Sequence, residues 1–188
     1  IGKILYIRAV YGHGGRKNYH KEWRFNKKFS GGGELIDKGS HLIDLSRLFL
    51  GSLTVKSSYL ANYFWPTKLE DNCFITLKNT KNNYCFLHAS STEWKNRFIF
   101  EIFCKYGKIE IFGLGKSYGN EKLTLYKMSK NMGIPNKKEF RFSKFSINNS
   151  WNIEISEFYN SIIKSKDCYP NLNDVYDNLK IINKIYNK

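Results

Sequence analysis

The stretch GGGELIDKGSHLIDLSRLFLGSLTVKSSYLANYF, residues 31–64, changes its period at Gly51. Before that glycine, apolar pairs recur every seven positions, two helical turns, at Leu35 and Ile36, Leu42 and Ile43, and Phe49 and Leu50. This is the spacing of one helix face, and it predicts a helix over Leu35–Leu50. Gly51 suits the left-handed position that closes a helix. Beyond it apolar residues alternate with polar ones, as in a strand with two unlike faces.

The helical part carries an oddity. Asp37, His41 and Asp44 stand at i, i+4 and i+7, a single stripe of a helix, where apolar residues are the rule. A carboxylate one turn before an imidazole can orient a ring nitrogen and stabilise its charged form. That is how a histidine is prepared as a general acid or base near neutral pH. The residues leave two other readings open: Asp37 as a cap beside a satisfied histidine, or a pair of metal ligands. No metal is assigned, because only two ligands are visible locally. Asp44 is assigned to the local fold. The three glycines, Gly31 to Gly33, allow the backbone to approach a neighbour closely.

Working outward, IGKILYIRAVY (1–11) reads as a strand and GHGGRKNYH (12–20) as a loop. After Gly51, the runs NCFITLKN (72–79), NYCFLHASSTEW (83–94), RFIFEIFCK (97–105), KIEIFGL (108–114) and KLTLYKM (122–128) read as successive strands. NTKNN and KYGK are turn signals between them. MGIPNKKE (132–139) reads as a loop. SWNIEISEFYNSIIKS (150–165) and LNDVYDNLKIINKIY (172–186) are one-sided helices. The order predicts an α+β fold, a large, mainly antiparallel sheet with helices packed on one face, formed by residues 1–188 as a single domain. The GLGKSYG segment (113–119) is glycine-rich and follows a strand, but period-two residues follow it instead of a helix. It reads as a connection between strands, not a phosphate loop.

The net charge of +15 favours anionic partners. Its lysines are scattered, however, in a chain also rich in Asn, Ile and Tyr, which reads as a solvated, compositionally biased surface. Nucleic-acid binding is not expected. No apolar run approaches the roughly 20 residues of a membrane span, and no signal peptide is visible. The four cysteines, Cys73, Cys85, Cys104 and Cys168, show no metal spacing and read as free thiols in a reducing, cytoplasmic setting. The chain opens on Ile1 rather than Met, and reads as part of something longer.

Taken together, Gly31, Gly32, Gly33, Leu35, Asp37, Gly39, His41 and Asp44 form G-G-G-x-L-x-D-x-G-x-H-x-x-D, closed by Gly51. This resembles the signature of the C-terminal domain of the Gfo/Idh/MocA oxidoreductases. IGKI at the start, the STEW strand end, the GKIEI strand and the final IINKIY are also similar, so the likeness runs through the whole chain. It implies a preceding Rossmann domain, absent here, and an open antiparallel sheet of the dihydrodipicolinate-reductase-like type whose face makes a homodimer or homotetramer. The implied cofactor is NAD or NADP, held mainly by the missing domain. The implied substrate is a sugar, inositol or sugar nucleotide, with the chain's positive charge inclining toward a phosphorylated or nucleotide-linked one. His41 would be the catalytic acid/base and Asp37 its neighbour. Gly32 and Gly33 would bring bare backbone to the nicotinamide. The family's E-K-P lysine and dinucleotide fingerprint do not occur in this chain, so it is expected to be inactive alone.

Weaker expectations attach to Arg16, Trp23 and Arg24, in the loop before the helix, and to Lys95 in TEWKNR (92–97), as substrate contacts. Packing and dimerisation are the preferred roles of TEWKNR. The rival to an enzyme half is a degenerate scaffold that keeps the fold and dimerises, with a basic nucleic-acid-binding domain as the lesser alternative.

Overall fold

The computed structural model describes residues 1–141 and 147–187. Eight strands form one sheet in the order β2-β3-β4-β1-β5-β6-β7-β8. They are β1 (Ile4–Gly12), β2 (Thr54–Ala61), β3 (Asn72–Lys78), β4 (Tyr84–Ser90), β5 (Arg97–Cys104), β6 (Gly107–Phe112), β7 (Lys122–Lys127) and β8 (Asn136–Arg141). Every neighbouring pair is antiparallel except β1 and β4, which run parallel. The α+β architecture expected from the change of period at Gly51 is the one observed.

One expectation fails. The second half of MGIPNKKE is not loop but the start of β8, paired with β7 from Asn136 to Arg141. NKKEFR has little apolar alternation, and it is backbone pairing with β7, a tertiary contact, that makes it a strand. Lysines on an outermost strand also discourage pairing with a further chain.

Register sorts the side chains. Ile7, Ala9 and Tyr11 lie opposite Ile102, Phe100 and Phe98, all on the face that the helices cover. The other face carries Tyr6 against Phe103 and Arg8 against Glu101. On the covered face sit α1 (Ser40–Leu50) and α3 (Leu172–Tyr186), whose Leu42, Ile43, Ile181, Ile182 and Ile185 join the strands in one core. The α2 helix (Ile147–Ile163) differs. Its Trp151, Phe158 and Ile162 remain exposed, so its apolar stripe does not enter the core. All four cysteines are free thiols, and three are buried. Among the described residues, no helix is long and apolar enough to cross a membrane.

The turn before α1 is wider than an α-turn. Leu35–Gly39 form a π-helical turn, in which Ser40 N–H donates to the Leu35 carbonyl. A turn holding an extra residue shifts the side chains ahead of it relative to those behind. At its far end α1 stops at Gly51 (φ 72°), whose N–H donates to the Arg47 carbonyl.

A candidate active-site cleft at the head of the first long helix

Strand β1 delivers Tyr11 and His13 to the same end of the sheet at which the π-turn presents Asp37 and Lys38. The loop 14–26 folds over this end, and the β6–β7 connection reaches in with Tyr118. Together they enclose a cleft of ≈ 400 Å³ with predominantly polar walls, lined also by Arg16, Tyr19, Arg24, His41 and Asn96.

The floor is a buried chain of hydrogen bonds and ion pairs. Gly15 N–H donates to His13 Nδ1 at 2.8 Å, so the neutral ring carries its proton on Nε2. That nitrogen lies 3.1 Å from the Tyr19 hydroxyl, which in turn donates to Glu34 Oε1 at 3.4 Å. The other Glu34 oxygen lies 3.1 Å from Lys38 Nζ, and the same ammonium lies 2.6 Å from Asp37 Oδ2. The Lys38 side chain is only 6% exposed, whereas that of Asp37 is 39% exposed and opens on the cleft.

Burial and charge set the protonation states. Burial alone would raise the Asp37 carboxyl, but Lys38, then Arg24 and His13, hold it below the ordinary carboxylate range. Burial opposes the charge on Lys38 too, and Glu34 and Asp37 overcome it, keeping the lysine protonated. Burial, with Lys38 next in weight, pushes His13 down to about 4. Burial and the neighbouring Tyr118 push the Tyr11 phenol up to about 12, so it stays a hydrogen-bond donor.

His13, Glu34 and Asp37 bring three potential ligand atoms within 4.8 Å of one another. The Lys38 ammonium already stands against both carboxylates, where a metal ion would stand. The cluster is charge-compensated without one.

The expected residues are placed as follows. Asp37 and His41 both line the cleft. They share no hydrogen bond or ion pair, and Asp37 pairs with Lys38 instead. The widened turn accounts for this, because four residues no longer complete one revolution across it. His41 is exposed, with its ring 6.0 Å from that of Tyr11. Asp44 lies outside the cleft, in a groove with Arg47, Tyr169 and Asp174. Arg16 and Arg24 line the cleft, and both turn onto Glu22, at 2.7 and 3.4 Å. Trp23 lies at an adjoining hollow under the Arg24 guanidinium. Lys95 is exposed and outside the cleft wall, where its neighbour Asn96 stands.

Gly32 and Gly33 line the adjoining hollow, which measures ≈ 50 Å³, room for about one or two waters and not for a dinucleotide. The requirement for glycine faces the other way. A Cβ on Gly32 would overlap the Tyr186 hydroxyl, and one on Gly33 the Glu70 carbonyl. The bare backbone is needed first for internal packing.

Sequence reading missed Lys38, Tyr11, His13, Tyr19, Glu34, Asn96 and Tyr118. Lys38, sitting between two motif residues, offered a signal, since a lysine on a predicted buried face needs a carboxylate partner. Tyr118 offered none, because the loop of 113–119 gives no hint of where it reaches.

The family model described as the GFO/IDH/MocA C-terminal domain matches residues 1–110. No curated protein sequence matches the chain. Among solved structures, levoglucosan dehydrogenase in complex with NADH superposes with a TM-score of 0.85 at 19% identity, over 100% of this chain and 56% of that one. An NAD-binding oxidoreductase from Klebsiella pneumoniae gives 0.81 at 18%, over 100% and 57%. Aldose-aldose oxidoreductase from Caulobacter crescentus, complexed with glycerol, gives 0.80 at 16%, over 100% and 53%. The chain spans little more than half the length of the structures it matches, and the likeness is one of fold.

Proposed function

The chain belongs to the GFO/IDH/MocA family, as a C-terminal domain of its type, and from that premise we propose that it is the substrate-binding and catalytic half of an NAD(P)-dependent oxidoreductase acting on a hydroxyl of a neutral sugar or related polyol. The observation that carries this reading is the meeting of Asp37 and His41 on the wall of one polar cleft. The solved relatives include proteins whose structures hold NADH and levoglucosan, or NADH and L-sorbose.

A neutral substrate is preferred to a phosphorylated or nucleotide-linked one because, among the described residues, each lysine or arginine lining the cleft is already paired with a carboxylate. Arg16 and Arg24 share Glu22, and Lys38 is shared by Glu34 and Asp37. Three cations meet three carboxylates, so the +15 of the chain lies elsewhere. What the cleft offers is hydroxyl, amide and imidazole groups, the partners of sugar hydroxyls.

In this reading the cofactor, when bound, exchanges a hydride with the substrate carbon. His41 takes the proton of the reacting hydroxyl as the carbonyl forms, and returns it in the reverse direction. Its exposure at the cleft wall gives that proton a route to solvent. Asp37, held anionic, accepts a hydrogen bond from a substrate hydroxyl and fixes its orientation. Tyr11, Tyr118 and Asn96 bind the remaining hydroxyls, with Arg16 and Arg24 at the rim. Trp23, Gly32 and Gly33 border the side from which the cofactor approaches. Lys95 is not needed for these contacts.

The uncovered sheet face is proposed as the homodimer or homotetramer contact. It carries Tyr6 stacked on Phe103, Tyr84 with Phe86, and Phe74 on His88, an aromatic surface of the kind that association covers. The free cysteines fit a reducing compartment, the cytoplasm.

The test is turnover by the parent chain, with its N-terminal region, across free sugars, inositols, sugar phosphates and nucleotide sugars, followed by nicotinamide absorbance. Turnover confined to neutral sugars or inositols and lost in His41→Ala is expected. Cofactor binding without turnover of any of them would favour the scaffold reading.

A further inference from the structure

The roles of His41 and Asp37 do not account for Lys38. A lysine with 6% of its side chain exposed, between two carboxylates and beneath a substrate cleft, is costly to bury and has to be held by its partners. Its two contacts are unlike. Glu34, with 3% of its side chain exposed, lies behind it in the floor, tied through Tyr19 to His13. Asp37 lies in front, opening on the cleft.

We propose that Lys38 is a positioning residue, whose ammonium, anchored on buried Glu34, holds the Asp37 carboxylate at the cleft wall as an anionic hydrogen-bond acceptor. This rests on the reading of the cleft as a sugar-oxidising site, and it adds a residue to that site. The geometry supports it in two ways. Asp37 is bound to Lys38 at 2.6 Å through one oxygen, Oδ2, and makes no other side-chain hydrogen bond among the described residues. Lys38 in turn cannot swing away without leaving Glu34 uncompensated in the floor. The chain of contacts Gly15–His13–Tyr19–Glu34–Lys38–Asp37 thus runs from the loop after β1 to the Asp37 carboxylate.

The groups that face Asp37 are few. They are Tyr11 from β1, His13, Arg16, Tyr19 and Arg24 from the loop that follows it, Glu34, Lys38 and His41 from its own segment, and Tyr118 from the β6–β7 connection. Of these, Lys38 is the cation bonded to it. Arg24 is engaged with Glu22, and His13 is neutral above about pH 4.

The test has two parts. First, the Asp37 side-chain carboxyl is titrated by carbon-13 NMR in the 188-residue chain and in Lys38→Met. A double variant, Lys38→Met with Glu34→Gln, removes both buried charges together and keeps the experiment decisive if the single variant does not fold. An upward displacement of the Asp37 titration in either variant is expected, and an unchanged titration overturns the proposal. Second, in the parent chain, Lys38→Met is expected to lower kcat/KM about 10²-fold and to move the acidic limb of the pH profile upward, with partial recovery in Lys38→Arg. A fall in rate with an unmoved limb overturns it. If the wild-type parent turns over no sugar, the oxidoreductase reading fails, and the carboxyl titration still decides the role of Lys38.

Discussion

Gly33 and Glu70 are locked together at the entrance to the π-turn. Gly33 N–H donates to Glu70 Oε1 at 3.0 Å, and a Cβ on Gly33 would overlap the Glu70 carbonyl. Glu70 Oε1 also accepts Leu35 N–H at 3.2 Å and the Tyr186 hydroxyl at 2.6 Å. A buried carboxylate from the β2–β3 connection thus holds the start of the Asp37 segment and the end of the last helix at once.

Glu70→Ala should therefore strand three donors, two of them backbone N–H groups at a helix start. The expected loss is about 3 kcal/mol, read as a lower urea midpoint. Gly33→Ala should destabilise through the clash, with Gly31→Ala milder, since no atom lies within 4 Å of a Cβ there although its φ of +81° strains any side chain. Equal stability of Gly33→Ala and wild type would contradict the close approach.

In the parent enzyme, His41→Ala should reduce turnover by about 10²- to 10⁴-fold, the usual weight of a general acid or base. His41 is exposed and outside the core, so the thermal midpoint should move little. Asp37→Asn should also slow turnover, and it should leave Lys38 with one ionised partner instead of two. Wild-type rates in both variants would remove them from the chemistry.

Acid should destabilise the fold through His13. Its ring is neutral when folded down to about pH 4, against an ordinary 6.5, because burial disfavours the charge. Between those values the unfolded chain binds a proton that the folded chain does not. The contribution is therefore complete above 6.5 and is lost as pH falls toward 4, by an amount on the order of 2–3 kcal/mol. Burial lowers His88 in the same direction, so some slope should remain without His13. Urea midpoints across this interval should fall less steeply in His13→Gln than in wild type. Parallel slopes would show that the ring is not held neutral.

On the uncovered sheet face, Tyr6 and Phe103 stack at 4.3 Å beside an ion-paired row in which Glu101 receives Arg8 at 2.7 Å and Lys108 at 2.8 Å. Phe103→Glu should weaken self-association, measured by sedimentation, with the far-ultraviolet spectrum unchanged. An unaltered mass would place the oligomer contact, if there is one, on another face.

The core helix is tested by Leu42→Ala. Leu42 has no exposed surface and belongs to the one core that the helix shares with the strands. Truncation should cost about 2–5 kcal/mol in chemical denaturation.

Features that depend on local periodicity are legible in the residues alone. The change of period at Gly51, the alternation of RFIFEIF and the one-sided pattern of LNDVYDNLKIINKIY each report which residues must leave water together, and that burden is local. The motif around Asp37 and His41 was legible for the same reason, as residue types at fixed spacing. Only the tertiary structure decided the rest. The lysine-rich strand 136–141 exists because β7 offers it hydrogen bonds, not because its own side chains alternate. Asp37 answers to Lys38 and not to His41, because a turn widened by one residue breaks the spacing that the sequence implies. The stripe of the 147–163 helix predicted burial that the described residues do not supply. Tyr11, Tyr118 and Glu34 entered the site through distances of 23 to 107 positions along the chain, brought together by strand order and loop path. Periodicity says which way a residue faces; strand order and loop path say what it faces.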